Sequence, residues 1–111
     1  MIFFGYTGAI ALMLLVIHVA VAHEKKAAAY EVTIDNFNFT PPTLAVPVGA
    51  RVTWINRDDV PHTVTSTDRR TIVSPALDTD EKFSYTFATA GTNDYFCSVH
   101  PHMKGKVIVQ Q

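Results

Sequence analysis

The sequence predicts an all-β fold, a sandwich of about seven to eight short strands, and three observations carry that expectation. Apolar residues alternate with polar ones, as in Val32 and Ile34 and again in Phe37 and Phe39, so that one face of an extended chain is apolar. Proline, glycine and asparagine interrupt these runs at short intervals, which suits the tight connections of packed sheets. No long amphipathic helix and no internal repeat is present.

The chain begins with "IFFGYTGAIALMLLVIHVAVA", residues 2–22, which carries no charged side chain and ends before His23, Glu24, Lys25 and Lys26. Such a run is the hydrophobic part of a secretory signal or a membrane anchor, and the small residues Ala20–Ala22 favour cleavage. The expected organisation is therefore a signal or anchor at 1–22, a short linker at 23–29 and one folded domain at 30–111. That domain works outside the cytoplasm, periplasmic in a bacterium, and meets the membrane only if the leader is retained. A formal net charge of -1 gives no basic excess and argues against nucleic acid as a partner. A monomer is expected.

Within the domain, strand grammar runs over residues 30–39 and is broken by "TPPT" at 40–43. A second strand is expected at 43–48, and Gly49 then supplies a turn before "RVTWIN" at 51–56. Further strands are expected at 62–66, 82–87, 93–97 and 105–109, in an antiparallel sandwich, while 67–80 reads as an irregular loop with room for short strand pieces. Trp54, Phe83, Tyr85, Phe87 and Phe96 are assigned to the core.

A single cysteine makes no internal disulfide, and an exposed thiol outside the cytoplasm is a liability. Cys97 is therefore buried, ligated to metal, or catalytic. Its neighbourhood, "YFCSVHPHMKG", places Cys97, His100 and Met103 in C-x-x-H-x-x-M spacing directly after an expected strand. A turn of that length around Pro101 folds three side chains towards one point. Thiolate, imidazole and thioether are soft and borderline donors, and one further imidazole completes the set of a mononuclear blue-copper site. His62, at the start of an expected strand in "VPHTV", supplies it. The candidate metal ligands are His62, Cys97, His100 and Met103, holding one copper ion that alternates between Cu(I) and Cu(II). Zinc binds the same nitrogen and sulfur donors but has no use for a thioether.

"TWINRDDVPHTV" and "FSYTFATAGTNDYFCSVHPHMKGKVIV" resemble the cupredoxins, the small type 1 blue copper proteins, over roughly residues 30–109. The two-residue gap between His100 and Met103 is most similar to that of the amicyanins. The resemblance implies a cupredoxin-like Greek-key β-sandwich and one-electron transport between redox proteins, with a periplasmic dehydrogenase as donor and a c-type cytochrome as acceptor. It also implies that His62, Cys97 and His100 are the strong ligands, that Met103 is axial and that Asn56 ties strands beside the site. The edge of His100 is then the electron port, reached through an apolar patch. His102 stands where the amicyanins carry an aromatic residue, which suggests a less apolar, pH-sensitive docking surface.

Two other classes compete with an electron carrier. A copper buffer or chaperone favours open, Met-rich or His-rich sites, unlike this compact unsymmetrical set. A thiol enzyme built on Cys97 leaves Met103 without a role and has no orienting third residue; the protein is not expected to be an enzyme. Arg57, Asp58, Asp59, Asp68, Arg69 and Arg70 read as solvated loop charges, and His18 leaves with the signal.

Overall fold

The computed structural model describes residue 5, residues 13–17 and residues 29–111. Most of the apolar leader and all but one residue of the expected linker therefore lie outside the described residues. Among the described residues, no helix is long and apolar enough to cross a membrane.

Eight strands follow in chain order: β1 (Ala29–Asp35), β2 (Asn38–Thr40), β3 (Thr43–Pro47), β4 (Arg51–Asn56), β5 (Thr65–Ser66), β6 (Lys82–Thr86), β7 (Gly91–Phe96) and β8 (Lys104–Gln110). They form two four-stranded sheets, ordered β2-β1-β4-β6 and β3-β8-β7-β5. The all-β sandwich is thus as expected, but its sheets are mixed, not antiparallel. β1 runs parallel to β4, with Ile34 opposite Asn56, and β3 runs parallel to β8. The reason is topological: neighbours joined by a hairpin must be antiparallel, whereas β1 and β4 are separated by a strand that crosses to the other sheet.

The expected first strand divides because its apolar rhythm slips. Val32 and Ile34 are two residues apart, as are Phe37 and Phe39, but Ile34 and Phe37 are three apart, so a turn must intervene. Asn36 and Phe37 occupy it, both with positive φ, 50° and 58°. Phe37 consequently leaves the core and is exposed, whereas Phe39 is buried. The strand expected at 62–66 contracts to Thr65–Ser66, preceded by an isolated bridge between His62 and Leu77. Gly49 forms the anticipated turn, with φ 89°.

Alternation on each strand fills the space between the sheets. Val32 and Ile34 of β1, Val52 and Trp54 of β4, Tyr95 of β7 and Val107 and Val109 of β8 all point inward and are buried. Trp54 lies at the centre, its ring 5.4 Å from that of Tyr95 across the sandwich and 6.1 Å from Phe83 within its own sheet. Phe83 and Tyr85 pack partly buried against this core. Phe96 departs from the core assignment: the same alternation that turns Tyr95 and Cys97 inward turns Phe96 outward, where the Arg69 guanidinium lies 4.8 Å from its centroid.

This topology gathers chemistry at one pole. The C-terminal ends of β1 and β4 coincide because the strands are parallel, and β7 ends where its antiparallel partner β8 begins. The β1–β2 turn, the chain after Asn56 and the chain between Phe96 and Lys104 therefore converge.

Tyr95 lies opposite Gly105, and its ring fills the place of the missing side chain: a Cβ there would collide with the ring. The ring is sealed in the core, so Gly105→Ala should cost about 1–3 kcal/mol, read from the urea midpoint of the metal-free protein. The buried Tyr95 hydroxyl and the Trp54 indole N–H make no hydrogen bond of good geometry. Burial pushes the hydroxyl pKa up to about 12, with Trp54 opposing only in part. An unfolded tyrosine ionises near pH 10, so stability is independent of this group's titration below that pH and falls as pH rises from there to about 12. Tyr95→Phe should leave stability at pH 7 nearly unchanged and flatten the alkaline decline, as followed by denaturant titrations at several pH values.

Candidate metal centre

The loop from Cys97 to Met103 closes on itself through its backbone. His100 N–H donates to the Cys97 carbonyl at 3.2 Å, Met103 N–H to the His100 carbonyl at 2.9 Å and Cys97 N–H to the Met103 carbonyl at 3.0 Å. These three bonds draw the backbones of residues 97, 100 and 103 together in one tight loop. Cys97 and Met103 are buried, and His100 is half-buried beside exposed Val99, Pro101 and His102.

His62 lies on the connection that crosses from β4 in one sheet to β5 in the other. It exchanges two backbone hydrogen bonds with Leu77, at 3.1 and 2.7 Å, and is fully buried. The next residue, Thr63, fastens this segment to the cysteine loop. Its N–H points at Cys97 Sγ at 3.3 Å, and its hydroxyl accepts from the Ser98 N–H at 2.8 Å.

His62 Nδ1 and His100 Nδ1 each lie 3.7 Å from Cys97 Sγ. The three ligand atoms all fall within 4.8 Å of one another, forming the group of potential metal ligands found among the described residues. Bonds of about 2.0 Å to nitrogen and 2.3 Å to sulfur, opened to a trigonal angle, separate N and S by about 3.7 Å. The spacing therefore fits a trigonal ion held by two imidazoles and a thiolate. A cavity of about 390 Å³ beside Phe96 and Pro101 is lined by none of the four candidate ligands.

Two supports lie behind His62. Asn56, buried at the end of β4, donates through Nδ2 to the Val60 and Leu77 carbonyls at 2.9 and 2.8 Å and accepts from Asp58 N–H at 2.9 Å. It ties the ligand-bearing segment to the sheet, the role that the resemblance implied. Asp58 corrects an expectation. It is not a solvated loop charge but is buried, with Oδ2 2.7 Å from His62 Nε2. Burial raises its pKa, but hydrogen bonds from Phe37 N–H, the His62 ring and Asn36 N–H more than offset this, and the net shift is downward. The spacing of Asp58 and His62, four residues apart around Pro61, was the available signal. Asp68 is truly exposed, yet its carboxyl is held well below the ordinary range by Ser66 and Thr71.

Phe37 completes the pole. Its ring meets the rings of His62 and His100 edge to face, with centroids 5.3 and 5.1 Å away and planes at 89° to both. Its hydrophobicity groups it with the strand residues, and only the slipped alternation before it marks the difference.

Fold and ligand cluster together define a cupredoxin: the chain belongs to the cupredoxin-like family, whose domain model matches residues 8–109. It is 39% identical over 93 residues to the amicyanin of Paracoccus denitrificans, covering 80% of this chain and 71% of that one. Amicyanin-alpha of Methylorubrum extorquens is 35% identical over 91 residues, covering 78% and 76%. Among solved structures, the oxidized state of a proline-to-alanine amicyanin mutant matches with a TM-score of 0.70 at 40% identity, over 74% of this chain and 82% of that one.

Asn56→Ala would strand three hydrogen-bonding groups, the Val60 and Leu77 carbonyls and the Asp58 N–H. A loss of about 2–3 kcal/mol is expected in denaturant unfolding, together with weaker metal binding in a competition titration.

Proposed function

We propose that the protein is a type 1 blue copper electron carrier in which His62, Cys97 and His100 would hold one copper ion and Met103 would supply a fourth, weaker sulfur donor. The observation that carries this reading is the equal 3.7 Å spacing of two imidazole nitrogens from one buried sulfur. Copper, when bound, supplies a one-electron couple between Cu(I) and Cu(II). The chain's contribution is a donor set already gathered by hydrogen bonds, so that little rearrangement accompanies a change of oxidation state. The Thr63 N–H aimed at Cys97 Sγ withdraws electron density from the thiolate and so bears on the potential. A copper buffer is the lesser reading, because full burial of His62 and Cys97 opposes ready exchange.

Electrons would pass by the half-buried edge of His100, the most accessible of the ligands. Exposed Phe37, Val99 and Pro101 give the surface around it apolar character, and exposed His102 adds a titratable group. Redox proteins meet such a surface weakly and briefly. A dehydrogenase as donor and a c-type cytochrome as acceptor, encountered outside the cytoplasm, follow the amicyanin likeness. Removal or retention of residues 1–22 would decide between a free and a tethered carrier, with the folded domain beginning near residue 30.

Loading with copper(II) should produce an intense visible thiolate-to-copper charge-transfer band, absent in Cys97→Ser. A colourless copper complex would favour the buffer. Met103→Leu should keep the colour and raise the reduction potential measured by voltammetry; an unchanged potential would remove Met103 from the coordination sphere.

A further inference from the structure

Asp58 holds an unusual position for a carboxylate. It is 8% exposed, and both oxygens are engaged: Oδ1 accepts from Asn36 N–H at 2.6 Å, and Oδ2 faces Phe37 N–H at 2.9 Å and His62 Nε2 at 2.7 Å. Its own backbone is clamped as well, its N–H by Asn56 and its carbonyl by the Thr79 hydroxyl at 2.6 Å. Among the described residues, His62 is the one basic side chain within ion-pair distance of it.

An ionised carboxylate has no proton to give, so the bond to His62 exists only if Nε2 carries the hydrogen. Nδ1 is then left with its lone pair free, and Nδ1 is the atom that faces Cys97 Sγ. The carboxylate thereby selects the tautomer that can bind metal and fixes the ring plane. The same group also seats the β1–β2 turn. Asn36 and Phe37 both have positive φ, a conformation that glycine or asparagine adopts readily and phenylalanine does not. Successive N–H groups of such a turn form a concave anion site, and Asp58 fills it.

We propose that Asp58 is a positioning residue of the copper centre: it presents His62 Nδ1 to the ion, holds the Phe37 turn over both histidine rings, and through its charge favours copper(II) over copper(I). The inference rests on the copper reading of the site. An asparagine in its place has one acceptor oxygen and an amide that donates, set against three N–H groups. At least one bond is lost, and the imidazole is free to put its proton on Nδ1, where it opposes metal binding.

The direction of the potential separates this role from a merely structural one. Loss of the negative charge weakens copper(II) more than copper(I) and moves the potential up. A turn that simply loosens admits water to the histidine rings, which favours the more highly charged ion and moves the potential down. Phe37→Gly supplies that comparison, because it removes the ring and the backbone strain but leaves Asp58 intact.

The experiment is voltammetry of the copper-loaded wild type, Asp58→Asn and Phe37→Gly, together with proton NMR of the zinc-loaded wild type. Asp58→Asn should stay coloured and lose roughly tenfold in its preference for copper(II), a rise of ~59 mV, while Phe37→Gly should not rise. The zinc-loaded wild type should show a slowly exchanging His62 Nε2–H resonance. A coloured Asp58→Asn protein with an unchanged or lowered potential overturns the proposal and leaves the copper reading intact. Wild-type protein without a charge-transfer band overturns both. Should Asp58→Asn fail to fold, the zinc-loaded wild type decides: absence of the Nε2–H resonance overturns the proposal, and its presence supports it.

Discussion

The arrangement depends on the contact between Trp54 and Tyr95 across the sandwich. Each belongs to a strand that ends at the same pole, Trp54 two residues before Asn56 and Tyr95 two residues before Cys97. Because side chains alternate along a strand, burying these rings also directs Asn56 and Cys97 inward. Packing of the core thus aims the thiol and the supporting amide together. A shift of one residue in either strand would turn its aromatic and its polar residue outward at once.

Around that fixed pole the donors are held by short-range polar bonds, not by the sheets themselves. Three backbone bonds close the Cys97–Met103 loop, and Thr63 links it to the segment that carries His62. Asn56 anchors that segment to β4, and Asp58 joins it to the β1–β2 turn. Residues far apart in sequence are therefore joined by a chain of contacts each a few ångströms long, and these contacts give the site its shape.

Much of this was legible in the sequence, and the residues explain where legibility ended. The strands are written in local alternation, and the loop donors in local spacing, so both could be read directly. Parallel pairing of β1 with β4 depends on which sheet β3 joins, and that is a property of the whole chain. Phe37 looked like a strand residue because its hydrophobicity outweighed the slip in register that marks the turn. Asp58 looked solvated because it stands among Arg57 and Asp59, both of which are exposed. Only the course of the chain after Asn56 brings its carboxylate under the imidazole. His62 was found by the opposite route, because an incomplete donor set demanded a partner and the sequence offered one in a suitable setting.

The burial gradient across the three donors also has a direction. His62 and Cys97 are sealed from solvent, whereas His100 lies at the rim. The rim is where the donor group meets solvent, with the His100 imidazole at its edge and the Phe37 ring packed beside it. A protein seated over this rim would cap it, so that docking for electron exchange would also shield the metal from water.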